Sequence, residues 1–143
     1  MGVNKRVRRL VSAAVGVLLS ASALSVAAPA AEAATNPVRS FRITYGNTYT
    51  TGTVTFYNQS VLVQGEHKSV SPTDCRFTRA KTWDYIELHQ TRWTENVCDR
   101  SAKYSMTLKA TNKGGAAWVE VQLVVGESGY GGRVLAETNV YRN

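Results

Sequence analysis

The segment from Trp83 to Trp93 carries the side chains whose types and spacing could do chemistry. If the segment is one extended strand, alternate residues point the same way, and one face holds Trp83, Tyr85, Glu87, His89, Thr91 and Trp93. An acid beside a histidine could act as a general acid–base pair, and two indole rings could form a stacking platform for sugars. The competing interpretation, which we favour, places the aromatic rings in the core or in cross-strand pairs and the two polar residues at a solvated edge.

The rest of the sequence offers little for catalysis. The chain has two histidines and no HxxxH or CxxC motif or Asp-rich calcium loop. The acids are scattered, whereas glycoside cleavage needs two carboxylates facing each other across a cleft. The glycine-rich run Gly126 to Gly132 lies between two predicted strands, and a phosphate-binding loop requires a helix N-terminus after it. We therefore predict a non-catalytic protein with no cofactor and no metal site.

The first 33 residues read as an export signal. Four basic residues (Lys5, Arg6, Arg8 and Arg9) precede an apolar run from Leu10 to Leu24, and Ala31-Glu32-Ala33 supplies the small-x-small pattern of a signal peptidase site. The apolar run is shorter than the roughly 20 residues of a membrane span. The sequence predicts cleavage before Ala34 or one residue later, and a secreted protein that leaves the membrane once the signal is removed.

Removal of the signal changes the charge balance. It takes four of the 17 Lys and Arg and one of the 10 Asp and Glu, which leaves a net charge of +4 on residues 34–143. A charge of this size does not indicate a nucleic acid partner. The remaining length fits a single domain.

The two cysteines, Cys75 and Cys98, are predicted to pair with each other. Exported proteins meet an oxidising environment, and no histidine lies at a metal-ligand spacing from either cysteine. Closing a loop of 24 residues stabilises a fold by roughly 3 kcal/mol on the chain-entropy model.

Period-two patterning predicts an all-β fold. Lys103 to Ala110 alternates apolar and polar residues, Thr111 to Gly115 is a turn signal, and Ala116 to Val125 and Arg133 to Tyr141 complete a predicted three-stranded meander. Further strands are predicted in the first half, where Asn58-Gln59-Ser60 is either a tight turn or a bulge. Seven or eight strands and one disulfide favour an antiparallel two-sheet sandwich, immunoglobulin-like or similar.

The N-terminal segment 34–45 is predicted to be an extended arm. Phe41, Ile43 and Tyr45 alternate with polar residues after Pro37. Such an arm pairs either with the edge of its own sheet or with the sheet of a partner, where main-chain hydrogen bonds supply the affinity.

The run GTVTFYNQSV from Gly52 to Val61, the mid-chain cysteine pair and Gly114-Gly115 before a valine-rich strand give the chain a family resemblance. It resembles small secreted β-sandwich proteins of filamentous Gram-positive bacteria (actinobacteria), a group that includes the adaptor subunit of umbrella-shaped toxin particles. The resemblance covers most of residues 36–125. It implies an adaptor between a toxin stalk and a lectin-like subunit, with Val38, Phe41 and Ile43 as candidate docking residues of the N-terminal arm.

Three functions compete on these grounds. The first is a non-catalytic protein-binding adaptor of an extracellular toxin or antagonism complex, whose partners are other secreted proteins. The second is an inhibitor of a secreted hydrolase that uses the loop Gly126 to Gly132. The third is a small carbohydrate-binding module with Trp83, Trp93 and Trp118 as its ligand platform.

Overall fold

A computed structural model describes residues 36–111, 113–129 and 131–143. The predicted export signal lies outside the described residues. The strands are β1 (Val38–Tyr45), β2 (Thr48–Phe56), β3 (Ser60–Ser69), β4 (Arg76–Trp83), β5 (Leu88–Trp93), β6 (Arg100–Lys109), β7 (Trp118–Val125) and β8 (Arg133–Tyr141). Within these ranges no helix has the length and hydropathy needed to cross a membrane.

The eight strands form two antiparallel sheets of four. Sheet A has the order β1-β2-β3-β6, and sheet B has the order β5-β4-β7-β8. The predicted all-β sandwich is confirmed, and so is the disulfide between Cys75 and Cys98. Three consecutive strands lie side by side in sheet A, which is not the strand order of an immunoglobulin domain.

The core lies between the two sheets and follows the predicted alternation. In β6 the inward side chains Met106 and Leu108 are buried, and the outward Thr107 and Lys109 are exposed. In β7 the buried inward residues are Val119, Val121 and Leu123. Asn58-Gln59-Ser60 proves to be part of a turn, since the Tyr57 N–H donates to the Ser60 carbonyl at 2.9 Å between β2 and β3.

The N-terminal arm pairs within its own sheet. β1 lies along β2 from Val38↔Thr55 to Tyr45↔Thr48 and forms an edge of sheet A. Phe41 and Ile43 are only 6% and 5% exposed and belong to the core. Their assignment as docking residues therefore needs correction, because neither side chain is free to contact a partner while the sandwich is closed. Val38 is exposed, and its role in docking stays a prediction.

The predicted strand from Trp83 to Trp93 is instead a hairpin. β4 ends at Trp83, residues 84–87 turn, and β5 returns with Thr82 opposite Gln90 and Arg79 opposite Trp93. The Asp84 carboxylate causes the turn by accepting the N–H groups of Ile86 and Glu87 at 2.7 and 2.6 Å. An aspartate that binds the backbone two and three residues ahead offers the chain an alternative to a strand.

The predicted meander is wrong at its first connection. β6 pairs with β3 in sheet A, whereas β7 pairs with β4 and β8 in sheet B. Residues 110–117 therefore cross between the sheets. The Ala110 N–H donates to the Gln59 carbonyl in the β2–β3 turn of sheet A, and the Ala117 N–H donates to the Trp83 carbonyl in sheet B. Only the β7–β8 pairing of the meander is present.

A glycine pair brings β2 and β3 unusually close. Gly52 lies opposite Gly65, between Phe41 of β1 and Tyr104 of β6 in the same inward-facing row. A Cβ on Gly65 would approach the Gly52 Cα to 2.9 Å and overlap the Thr51 carbonyl oxygen. At both positions the atoms that a Cβ would overlap belong to the backbone of the facing strand, so that this pairing requires glycines.

Candidate functional site: an exposed aromatic surface at the end of sheet B

A row of aromatic side chains crosses the outer face of sheet B. Trp83 of β4 lies opposite Trp118 of β7, which lies opposite Tyr141 of β8. The Trp83 and Trp118 rings are nearly parallel, with centroids 6.1 Å apart and an interplanar angle of 7°. Tyr141 is tilted by 37° against Trp118 at 6.1 Å.

The turn between β4 and β5 adds two exposed residues to this row. Tyr85 packs edge-on against Trp118, with centroids 6.3 Å apart, and remains 82% exposed; Ile86 beside it is 93% exposed. We call Trp83, Tyr85, Ile86, Trp118 and Tyr141 the aromatic surface. An exposed group of large apolar side chains costs solvation free energy, and proteins retain such groups mainly where they bind something.

The backbone holds the turn of the aromatic surface in one shape. Besides the two N–H groups that the Asp84 carboxylate accepts, the Asp84 N–H donates to the Glu87 carbonyl at 3.1 Å. The hydrogen bonds from the Ile86 and Glu87 N–H groups hold the pKa of the Asp84 carboxyl below its ordinary value. A preordered turn loses less conformational entropy on binding.

Glu120 fixes the indole of Trp83 from the adjacent row. Its carboxylate accepts from Trp83 Nε1 at 3.1 Å and from Lys81 Nζ at 3.0 Å, and Gln122 Nε2 also donates to it. Gln122 in turn accepts from Arg79 Nε at 2.7 Å. The aromatic row is therefore anchored to a hydrogen-bonded polar ladder on the same face.

A cavity of about 320 Å³ opens beside the turn. Its lining combines residues of the β4–β5 turn, of the crossover and of the C-terminus, among them Asp84, Tyr85, Ile86, Lys113 and Arg142. The Arg142 guanidinium donates to the Gly114 carbonyl and so ties the C-terminal strand to the crossover. The cavity gives the aromatic surface a recess next to its most exposed residues.

The three tryptophans do not form one platform. Trp93 lies opposite Arg79, four residues before Trp83 in β4, which is a separation of about 13 Å at strand spacing. The predicted platform is corrected to Trp83 and Trp118, with Tyr141 in the place of Trp93. Tyr141 was missed because its position beside Trp118 depends on the β7–β8 register, which no local pattern reveals.

Glu87 and His89 do not share a catalytic face. Glu87 is exposed in the turn. His89 Nδ1 lies 2.9 Å from the Thr111 hydroxyl, and its Nε2 lies 3.7 Å from the Asp84 carboxylate. The Asp84 carboxylate already accepts two backbone N–H groups, so these contacts connect the β4–β5 turn to the crossover. The described residues contain no group of three His, Cys, Asp or Glu that could hold a metal ion.

The glycine-rich loop between β7 and β8 packs against the outer side of sheet B. Phe77 and Val124 are fully buried on the outer side of sheet B, and Gly132 packs over them with φ +87°. Asn96 Nδ2 donates to the Gly126 carbonyl at 2.8 Å and holds the start of the loop. A loop that covers a small apolar cluster is less available as the contact of an inhibitor.

No protein-family model, no curated protein sequence and no solved structure matches this chain.

Proposed function

We propose that this chain is a secreted protein-binding module, an adaptor of an extracellular complex, that docks through the aromatic surface. The observation that carries the proposal is the pair Tyr85 and Ile86, which stand almost fully exposed on a hydrogen-bonded turn beside three more aromatic rings. Tyrosine and tryptophan dominate the energetic centres of protein interfaces.

The chemistry of the surface favours a protein partner over a sugar. Ile86 is an aliphatic side chain at the outermost point, where it can enter a partner's apolar pocket but offers no flat ring to a sugar. Lys113 and Arg142 at the adjacent cavity would complement an acidic residue of the partner. The resemblance to toxin-particle adaptors agrees with this role and suggests a toxin stalk or a lectin-like subunit as the partner.

The test is capture of partners from the native culture medium with the mature protein as bait. The double variant Y85S/I86S should reduce capture by about tenfold or more, since loss of two central contacts removes at least 1.4 kcal/mol of binding free energy. V70S is the matched control, because Val70 is an exposed apolar residue that directly follows β3 and is not part of the aromatic surface. The proposal would be rejected if the unaltered protein, Y85S/I86S and V70S captured the same partners equally well, or if the native culture held the protein only as a free monomer.

A sugar ligand is the second candidate, favoured by the parallel indoles of Trp83 and Trp118. Indole faces that stack on a sugar change their fluorescence emission. The W93F variant restricts the tryptophan fluorescence to Trp83 and Trp118. Titration of this variant with cell-wall glycans then reports on these two indoles alone. Unchanged emission across the glycan panel would exclude this function.

A further inference from the structure

The first strand has a partner strand on one side only. β1 stands at the edge of sheet A, and its register with β2 runs without a bulge from Val38↔Thr55 to Tyr45↔Thr48. The Phe56 N–H donates to the Pro37 carbonyl at 2.9 Å, so these two residues form a hydrogen-bonded pair just before β1. Hydrogen-bonded and non-hydrogen-bonded pairs alternate along an antiparallel ladder. The main-chain groups that point away from β2 therefore belong to Val38, Ser40, Arg42 and Thr44.

These four residues form what we call the open edge. All four are exposed. Within the described part of the chain, the one hydrogen bond to their main chain is that from Arg39 Nη1 to the Val38 carbonyl at 3.4 Å. An unpaired row of N–H and C=O groups on a regular strand is a template for a further strand. The open edge can therefore extend sheet A by a strand from another molecule.

The other three edge strands are less suited to strand addition. In β6 the main chain of Lys109 already bonds to sheet B, since its N–H donates to the Gln90 side chain at 2.6 Å and its carbonyl accepts from the Thr82 hydroxyl at 2.8 Å. The pairing of β5 with β4 and that of β8 with β7 each contain a register shift. Irregular edges of this kind resist the addition of a strand. β1 has neither feature.

The charges on the first two strands favour an acidic partner. Residues 36–65 contain two arginines, Arg39 and Arg42, and no carboxylate. The Arg42 guanidinium lies 5.7 Å from the centroid of the Tyr49 ring, and Arg39 donates to main-chain carbonyls. Neither arginine forms an ion pair with a described carboxylate. Glu66, in the same cross-strand row as Arg42, lies two strands away on β3 and accepts from the Tyr49 hydroxyl. Both arginines are therefore available to the carboxylates of a partner.

The same charges disfavour a second copy of this chain as the occupant. Antiparallel pairing of two β1 strands would bring four arginines to one junction, with no carboxylate on β1 or β2 of either copy. Like charges that meet in an interface cost binding free energy and so act against the wrong partner. The occupant that the charges fit is an extended segment of another protein.

We propose that the open edge binds an extended acidic segment of a partner protein, which adds a fifth strand to sheet A. Main-chain hydrogen bonds to Ser40, Arg42 and Thr44 hold the segment. Its carboxylates lie against Arg42 on the outer face, since Arg42 alternates with the buried Phe41 and Ile43. The aromatic surface belongs to sheet B, so that the two surfaces give an adaptor one docking site on each sheet. Binding at the open edge does not depend on the aromatic surface.

The test uses a capped octapeptide of alternating valine and glutamate as the probe and the valine–lysine octapeptide as its charge control. NMR at pH 7 follows the exchange of single amide protons with solvent. In the unbound protein the amides of Ser40, Arg42 and Thr44 should exchange fast, and those of Phe41 and Ile43 slowly. Saturation with the acidic peptide should slow the three fast amides by about tenfold or more. The lysine peptide should leave them unchanged.

S40P tests the edge directly, because it deletes an N–H that points away from β2 and removes no hydrogen bond of the sheet. It should weaken binding of the acidic peptide by about tenfold or more. S105P is the matched control on the other edge of sheet A. The Ala110 N–H donates to the Gln59 carbonyl, so by the same alternation the Ser105 N–H points away from β3. The affinity of S105P should equal that of the unaltered protein.

R42E tests the charge and keeps the proposal falsifiable if S40P folds poorly. It should reverse the preference, so that the lysine peptide binds more tightly than the acidic one. The proposal is overturned by equal affinity of the unaltered protein for both peptides, by equal losses in S40P and S105P, or by unchanged exchange up to about 5 mM acidic peptide. Slow exchange of the Ser40 and Arg42 amides through self-association, without peptide, would also overturn it.

The Y85S/I86S variant separates this proposal from the proposed adaptor function. It should bind the acidic peptide as tightly as the unaltered protein does, because the aromatic surface lies on the other sheet. Failure at the open edge is therefore distinguishable from failure of docking through the aromatic surface.

Discussion

Acidification should destabilise the protein through His67. The imidazole is buried between the sheets, and its pKa falls from an ordinary value of 6.5 to about 4 because burial disfavours the charged ring. Arg100 lowers the pKa further, whereas Glu66 acts in the opposite direction. The unfolded chain thus binds a proton at a pH where the folded chain does not.

The size of the effect follows from proton linkage. The stability contributed by neutral His67 is fully present above pH 6.5 and is lost as the pH falls toward 4. At about 1.4 kcal/mol per pH unit, the free energy of unfolding should drop by about 1 kcal/mol at pH 5.5 and by about 3 kcal/mol at pH 4. Below pH 4 both states are protonated at this site, and its contribution stays constant.

Urea unfolding at pH 7.5, 5.5 and 4 measures the loss, and H67Q supplies the comparison. Glutamine does not ionise at these pH values, so the difference in unfolding free energy between the two proteins reports on His67 alone. Carboxylates such as Asp84, whose pKa is lowered in the folded protein, also reduce the stability in acid, but they do so equally in both proteins. An NMR titration of His67 in the unaltered protein keeps the test valid if H67Q folds poorly. Two results would refute the reasoning: an NMR titration midpoint of His67 near pH 6.5, or an unfolding free energy that depends on pH equally in H67Q and in the unaltered protein.

Two further predictions concern what holds the sandwich together. Replacing Cys75 and Cys98 by serine should lower the free energy of unfolding by about 3 kcal/mol, because the disulfide closes a loop with a sequence separation of 23; a loss under about 1 kcal/mol in urea unfolding would contradict the chain-entropy account. G65A should cost about 3 kcal/mol, because its Cβ overlaps the backbone of β2. G131A, where a Cβ would meet no atom within 4 Å, should stay within about 0.5 kcal/mol of the unaltered protein. Equal losses in the two alanine variants would show that β2 and β3 are not in close contact.

The sequence predicts the strands of this fold better than it predicts their partners. The alternation of Met106 and Leu108 with polar residues was sufficient to identify β6 and its buried face. The turn signal at 111–115 correctly predicts a break, but nothing local says that the next strand joins the other sheet. That choice depends on β6 pairing with β3, about 40 residues earlier in the chain.

The errors at the candidate site have a similar cause. From Trp83 onward, strand-forming residues continue through Tyr85 and Ile86, and only Asp84 indicates a turn. Its hydrogen bonds to the backbone outweigh the β propensity of its neighbours and put Ile86 at the tip rather than on an inner face. The aromatic surface likewise depends on two registers, which join Trp83 to Trp118 and Trp118 to Tyr141.

Site-specific photo-crosslinking in the native culture medium tests the adaptor role most directly. A benzophenone amino acid replaces Ile86 in one protein and Val70 in the other. Both positions are exposed and apolar; Ile86 lies in the turn after β4, and Val70 directly follows β3. We predict a covalent product with a distinct secreted protein from position 86 and none from position 70. Products from position 70 alone, or from neither position, would contradict docking through the aromatic surface.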